Sequence, residues 1–232
     1  MKRIKLFHLI LVMLMISGCT PAASLPTASA TEPLAEPTTP ASTATSAAPI
    51  PAGWVSAAVP GQQCKYAISY PPEIEFTDQT PYSRTFAFKL TDPDQGARNF
   101  IYVSMIPSEI QDMVKQGAYQ NEVYNYDPAE AAILQTMQVG ESKPVRDLPN
   151  VGTGFTYERK QDTQIGGQTA QTYENAQPWE FPVGTKEIRH TLSQNGCTYL
   201  IGGYMDTTGS NQPGAITEDL FHQVIATVQL MP

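Results

Sequence analysis

The period of the apolar positions changes several times along this chain, and each change marks an element. Leu6 to Ile16 is a nearly unbroken apolar run, too short for a helix that crosses a bilayer, which needs about 20 residues. From Thr20 to Ala52 there is no period at all, only Pro, Ala, Ser and Thr with two glutamates and no aromatic residue. Period two then begins. Cys64, Tyr66, Ile68 and Tyr70 fall on one side of a strand that Pro71-Pro72 stops. Arg84 to Leu90 and Phe100 to Ile106 predict a hairpin across Asp92-Pro93-Asp94-Gln95-Gly96, whose residues fit turn chemistry and miss the spacing of a calcium loop. Pro107-Ser108-Glu109 predicts the start of a short helix reaching about Lys115. Asp127-Pro128-Ala129-Glu130 predicts a second, with Asp at the cap, Pro at the first position and Glu at the third. Its stripe is Ala131, Leu134 and Met137, and Gly140 ends it. Phe155 to Ile165 and Gln168 to Glu174 then pair around Gly166-Gly167, and Lys186 to Leu192 and Cys197 to Tyr204 around Asn195-Gly196. Thr217 caps a last helix with Leu220, Phe221, Val224, Ile225 and Val228 on one face.

Strand, hairpin, helices, two hairpins and helix predict an α+β fold: an antiparallel sheet packed with helices, an αβα sandwich. Residues 54–232 are of single-domain size and contain no second linker. Tyr66-Ala67-Ile68-Ser69-Tyr70-Pro71-Pro72, Ile165-Gly166-Gly167-Gln168 and the run from Leu220 to Val228 are similar to motifs of PsbP-like domains. That resemblance implies an αβα sandwich serving as a non-catalytic binding or assembly module. The insert from Gln116 to Asp127 and the Pro-Trp-Glu-Phe-Pro segment depart from the family pattern.

The first residues carry a different message. Lys2, Arg3 and Lys5 followed by the apolar run have the form of a signal peptide. Ile16-Ser17-Gly18-Cys19 resembles the lipobox of bacterial lipoproteins: aliphatic residue, small residue, Gly or Ala, then Cys. The resemblance implies cleavage after residue 18 and attachment of acyl chains such as palmitate at Cys19. One chain binds a membrane only marginally, at roughly 0.8 kcal/mol per buried CH₂, whereas two or three hold a domain there. The alternatives are a plain secretory signal with a chance cysteine and an uncleaved anchor. The expected organisation is a signal peptide over 1–18, a lipidated cysteine and disordered tether over 19–53, and one globular domain over 54–232, on the extracytoplasmic face of the cell membrane. Stretched as polyproline II, the tether reaches roughly 100 Å.

Loss of residues 1–18 removes three of the 14 basic residues and none of the 22 acidic ones, leaving a net charge of −11. Such a chain is repelled by nucleic-acid phosphates and anionic headgroups, so the expected membrane contact is the lipid, with no nucleic-acid partner. Only Cys64 and Cys197 remain besides Cys19. In an exported chain they suggest a disulfide, with two buried thiols or a metal pair as alternatives.

No Gly-x-Ser-x-Gly elbow, His-Glu-x-x-His or phosphate-binding glycine loop is present, so no catalytic residue, metal or cofactor is assigned. Cys197 with His190 makes a poor nucleophile pair beside a disulfide partner. His190 and His222 read as surface or hydrogen-bonded residues. The candidate binding residues are aromatic and lie in segments that look like loops: Tyr119, Tyr124 and Tyr126, and Trp179 and Phe181. Their other reading is a plug for the core or a cover for a sheet edge. Two functions are carried forward. The first is a non-enzymatic lipoprotein module binding an envelope protein or small ligand. The second is an exported hydrolase using carboxylates in a cleft, for instance Asp206 and Glu218.

Overall fold

The computed structural model describes residues 49–60, 63–88, 99–118, 126–145, 155–178, 181–208 and 214–231. The chain divides into Met1–Ser42 and Thr43–Pro232, and all described residues belong to the second unit. Cys19 and the leader therefore lie outside the described residues.

In chain order the elements are β1 (Val55–Val59), β2 (Lys65–Tyr70), β3 (Ile74–Thr80), β4 (Ser83–Phe88), β5 (Phe100–Pro107), α1 (Ser108–Lys115), α2 (Pro128–Gln135), β6 (Ser142–Pro144), β7 (Thr156–Ile165), β8 (Gln168–Asn175), β9 (Thr185–Gln194), β10 (Cys197–Asp206), α3 (Glu218–Ile225) and β11 (Gln229–Met231). They build two antiparallel sheets, one in the order β1-β2-β11 and one in the order β3-β4-β5-β10-β9-β8-β7-β6. The fold is the α+β sandwich expected. The small sheet and α3 cover one face of the large sheet, where Tyr66, Ile68, Phe86, Ile101, Val103, Tyr199, Ile201, Phe221 and Val224 share one core. On the other face, α1 closes over Tyr102, Ile106 and Leu200, while Leu134 and Met137 pack on Tyr157 and Tyr173.

Local chemistry places these elements. The Asp127 carboxylate accepts from Ala129 N at 2.8 Å and Glu130 N at 3.4 Å, and Thr217 Oγ1 accepts from Leu220 N at 3.2 Å. Both caps satisfy orphan donors of a first helical turn. Asn195 and Gly196 both have positive φ, 52° and 76°, as the tight turn between β9 and β10 requires. Gly203 has no Cβ for a different reason: one built there would stand 2.8 Å from Phe221, so its absence lets α3 sit directly on β10.

Two expectations are corrected in detail, and four strands go beyond what was expected. α1 begins after Pro107 without a side-chain cap; Ser108 instead donates its N–H to Gly196 O at 2.9 Å. α2 stops at Gln135, where the Thr136 hydroxyl bonds Ile133 O at 2.8 Å, and Gly140 serves the next turn, donating to Arg159 O at 2.7 Å. Four strands, β1, β3, β6 and β11, carry no clear alternation in sequence because each is short or lies at a sheet edge with much of its surface in water.

Cys64 and Cys197 are joined by a disulfide spanning 133 residues, with Cα atoms 5.7 Å apart. It ties the residue before β2 to the first residue of β10, and so fastens the small sheet to the large one. A second fastening is polar. Thr227 Oγ1 accepts from Ser69 N at 2.8 Å and lies 2.9 Å from Ser69 O and 2.7 Å from Val224 O, holding the end of α3 against β2. In the chain-entropy account a loop this long is worth up to about 5 kcal/mol. The Cys64→Ala/Cys197→Ala variant is therefore expected to lose about 3–5 kcal/mol of unfolding free energy, read as a lower urea midpoint, and to become insensitive to reductant.

Candidate functional site

The described residues with the most concentrated chemistry lie between the large sheet and α2. Strand alternation sends Glu187 and Arg189 of β9 to the same face. The register puts Arg189 between Gly202 of β10 and Tyr173 of β8, with Tyr102 of β5 across from Gly202. Glu130 descends from the first turn of α2, and Tyr157 enters from β7. All five side chains of the cluster, Glu130, Glu187, Arg189, Tyr102 and Tyr157, are buried. Gly202 makes the arrangement possible, since a Cβ there would overlap the ring and hydroxyl of Tyr102.

Arg189 is the hub. Its Nη1 pairs with Glu130, its Nη2 donates to Glu187 Oε1 and to the Tyr157 hydroxyl, each at 2.9 Å, and its Nε lies 3.1 Å from the Tyr102 hydroxyl. The phenols pass their own protons on: Tyr102 donates to Glu187 Oε1 at 2.7 Å and Tyr157 to Glu187 Oε2 at 2.5 Å. Burial pushes both phenols well above their ordinary pKa, so they stay protonated as donors. Burial also works against the guanidinium charge, but Glu187, the two phenols and Glu130 outweigh it and hold Arg189 charged. The guanidinium carbon lies 4.9 Å from the Tyr157 ring centroid as well. A slot of about 20 Å³ beside the cluster, lined by Gln111, Gln135, Arg189, Thr191 and Thr198 among others, has room for roughly one water.

Chemically, this is a closed circuit. Both carboxylates bond to Arg189, and the phenols that donate to Glu187 accept in turn from Arg189. The cluster fastens α2 to the sheet, assisted by the Tyr173 hydroxyl, which donates to Leu134 O at 2.9 Å. Arg189→Met is expected to cost about 3–5 kcal/mol, because two buried carboxylates lose their counter-charge, measured as a fall in the urea midpoint.

The opposite face of β9 carries His190, buried with its Nδ1 3.0 Å from Thr172 Oγ1 and its ring stacked at 5.8 Å on Phe221. Of the two readings expected, surface or hydrogen-bonded, it takes the second through Nδ1, while its Nε2 has no partner. Burial, reinforced by the neighbouring His222, pushes its pKa down to about 4. The unfolded chain binds this proton near pH 6.5 and the folded chain only near 4, so stability is full above 6.5 and lost as pH falls through that window. The loss approaches about 3 kcal/mol below pH 4, and His190→Leu is expected to flatten that limb of a urea-stability profile.

The residues expected from sequence are distributed differently. Tyr119, Tyr124 and Trp179 lie outside the described residues. Tyr126 and Phe181 each pack against the Tyr102, Ile106, Leu200 and Tyr204 cluster, where Phe181 stacks on Tyr204 with centroids 4.0 Å apart. Asp206 accepts from Thr208 N at 2.8 Å and from its hydroxyl at 2.6 Å. Glu218 pairs with Lys186 at 2.6 Å, and that hydrogen bond holds its carboxyl below the ordinary range. Among the described residues no group of three His, Cys, Asp or Glu side chains could hold a metal, and no helix is long and apolar enough to cross a membrane. Sequence reasoning missed Glu187, Arg189, Tyr102 and Tyr157. The available signals were opposite charges two apart on a strand with cover on both faces, and the Gly202-Gly203 pair in mid-strand.

The sequence matches no protein-family model and no curated protein. Solved structures with a similar course of the chain include one of a Bacteroides thetaiotaomicron VPI-5482 protein, at 13% identity and a TM-score of 0.34 over 76% of this chain and 48% of that one. This chain thus spans about half the length of that protein. Another is cyanobacterial PsbP (CyanoP) from Synechocystis sp. PCC 6803, at 14% identity and a TM-score of 0.37 over 78% and 94% of the two chains. A third is LpqN of Mycobacterium tuberculosis, a protein involved in cell envelope biogenesis, at 10% identity and a TM-score of 0.32 over 77% and 92%. The likeness concerns chain course alone.

Proposed function

We propose that this chain is an exported lipoprotein, held on the extracytoplasmic face of the cell membrane through acylated Cys19, whose sandwich binds an envelope protein or small ligand without catalysing a reaction. The observation that carries the reading is the Cys64–Cys197 bond. Such bonds persist in oxidising compartments outside the cytoplasm. It agrees with what Lys2, Arg3, the apolar run and Ile16-Ser17-Gly18-Cys19 imply about export. The 19–53 segment then acts as the spacer between lipid and domain.

The non-catalytic part draws support from how the carboxylates are used. Glu130 and Glu187 bond to Arg189, Glu218 to Lys186 and Asp206 to Thr208. A carboxylate hydrolase needs two such groups converging on an open cleft. The aromatic residues Tyr119, Tyr124, Tyr126, Trp179 and Phe181 stay the proposed contact residues for the partner.

The test uses the full-length chain in a bacterial host fed a labelled fatty acid. The wild-type chain is expected to take up label and sediment with membranes, and Cys19→Ala to lose the label entirely and leave the membrane fraction. A wild-type chain with an unmodified residue 19 and its leader intact in the cytosol overturns the reading.

A further inference from the structure

Among the described residues four strands have an open edge: β3 and β6 in the large sheet, β1 and β11 in the small one. An open edge is a row of unpaired peptide groups, and stable proteins blunt it with charge, proline, bulges or brevity. Three of the four are blunted. β3 carries Glu75 and Asp78 and an irregular register between Asp78 and Thr80. β6 is three residues long and contains Lys143 and Pro144. β11 has only three residues. β1, Val55-Ser56-Ala57-Ala58-Val59, has five residues and no charge, proline or bulge.

The hydrogen-bonding direction of β1 follows from its neighbour. Ser69 of β2 turns its N–H and C=O toward Thr227, on the β11 side. By alternation, Tyr66, Ile68 and Tyr70 turn theirs toward β1, where they meet Val59, Ala57 and Val55. The peptide groups of Ser56 and Ala58 therefore face outward, and both residues are exposed.

We propose that β1 pairs antiparallel with β1 of a second copy of this chain, joining two small sheets into one of six strands. Centred on Ala57, the register sets Ser56 opposite the second copy's Ala58 and Ala58 opposite its Ser56, so the four outward N–H and four outward C=O groups of the two strands meet as hydrogen-bonded pairs. The same register places Val55, 41% exposed, opposite the second copy's Val59. The segment carries no charge to oppose its own image, whereas the same operation on β3, centred on Thr77, would set the charged Asp78 opposite Phe76 and Glu75 opposite Gln79 of the second copy. A single strand pair buries less than the roughly 1,000 Å² of a durable interface, so the contact is weak and is best read by trapping. The pairing does not depend on lipid attachment.

The experiment introduces Ala57→Cys into the full-length chain carrying Cys19→Ser, in which Cys64 and Cys197 are already bonded to each other. Paired residues at such a non-hydrogen-bonded site have Cα atoms about 4.5 Å apart, within disulfide reach. Mild oxidation is expected to yield a covalent species of twice the chain mass, at least tenfold faster than Thr77→Cys on the β3 edge. Adding Ala58→Pro, which removes an outward N–H, or the side-chain change Ser56→Lys, is expected to slow trapping at least tenfold with the thermal transition retained. The proposal is overturned if Ala57→Cys traps no faster than Thr77→Cys, if neither second substitution slows it in a folded chain, or if the adduct contains a different protein.

Discussion

A guanidinium taken out of water must be matched on the spot, and Arg189 shows how completely this fold does so. Glu187 and Glu130 both bond to it, and the hydroxyls of Tyr102 and Tyr157 accept from its remaining N–H groups. An unmatched charge in that position would cost several kcal/mol. The match can be made only if β5, β7, β9 and α2 are all in register with one another. Buried ion pairs are often no more stabilising than hydrophobic residues of the same volume; here the pairs join α2 to β9 and, through the phenols, to β5 and β7.

The two faces of the large sheet are solved by different means. Toward α2 the contact is polar at its centre and ringed by Leu134, Met137 and Tyr173. Toward α3 it is a continuous apolar core into which the His190 ring and the phenols of Tyr66 and Tyr199 are set. Gly202 and Gly203, adjacent in β10 and facing opposite ways, make room on both sides: one for the Tyr102 ring, the other for Phe221. Strand β10 is in effect thinned in the middle so that both layers close on it.

Much of this was legible in the sequence. Asn195-Gly196 and Gly166-Gly167 set the late hairpins, Asp127 and Thr217 set two helix starts, and the period-two run after Cys64 set β2, because each rests on bonds within a few residues. The edge strands were not legible, since a strand with one neighbour and a wet face has little alternation to read. The ionic cluster was hidden by a sound rule: Glu187 and Arg189 occupy the positions that would face water if only one side of the sheet were covered. Glu130 was visible only in its local role at the start of a helix. Tyr126 and Phe181 stood out as aromatic, but the cluster against which each packs is built from residues distant in sequence.

The placement of β11 has a kinetic meaning. Strand β2, formed from residues near the start of the domain, receives its second neighbour only from Gln229–Met231, and the Cys64 sulfur waits for Cys197. A chain emerging amino-terminus first therefore cannot finish its small sheet until residues 229–231 have been made. Contacts so far apart along the chain also close slowly. Until that late segment arrives, β2 has β1 as its one strand neighbour, and the small sheet is no more than a two-stranded ribbon.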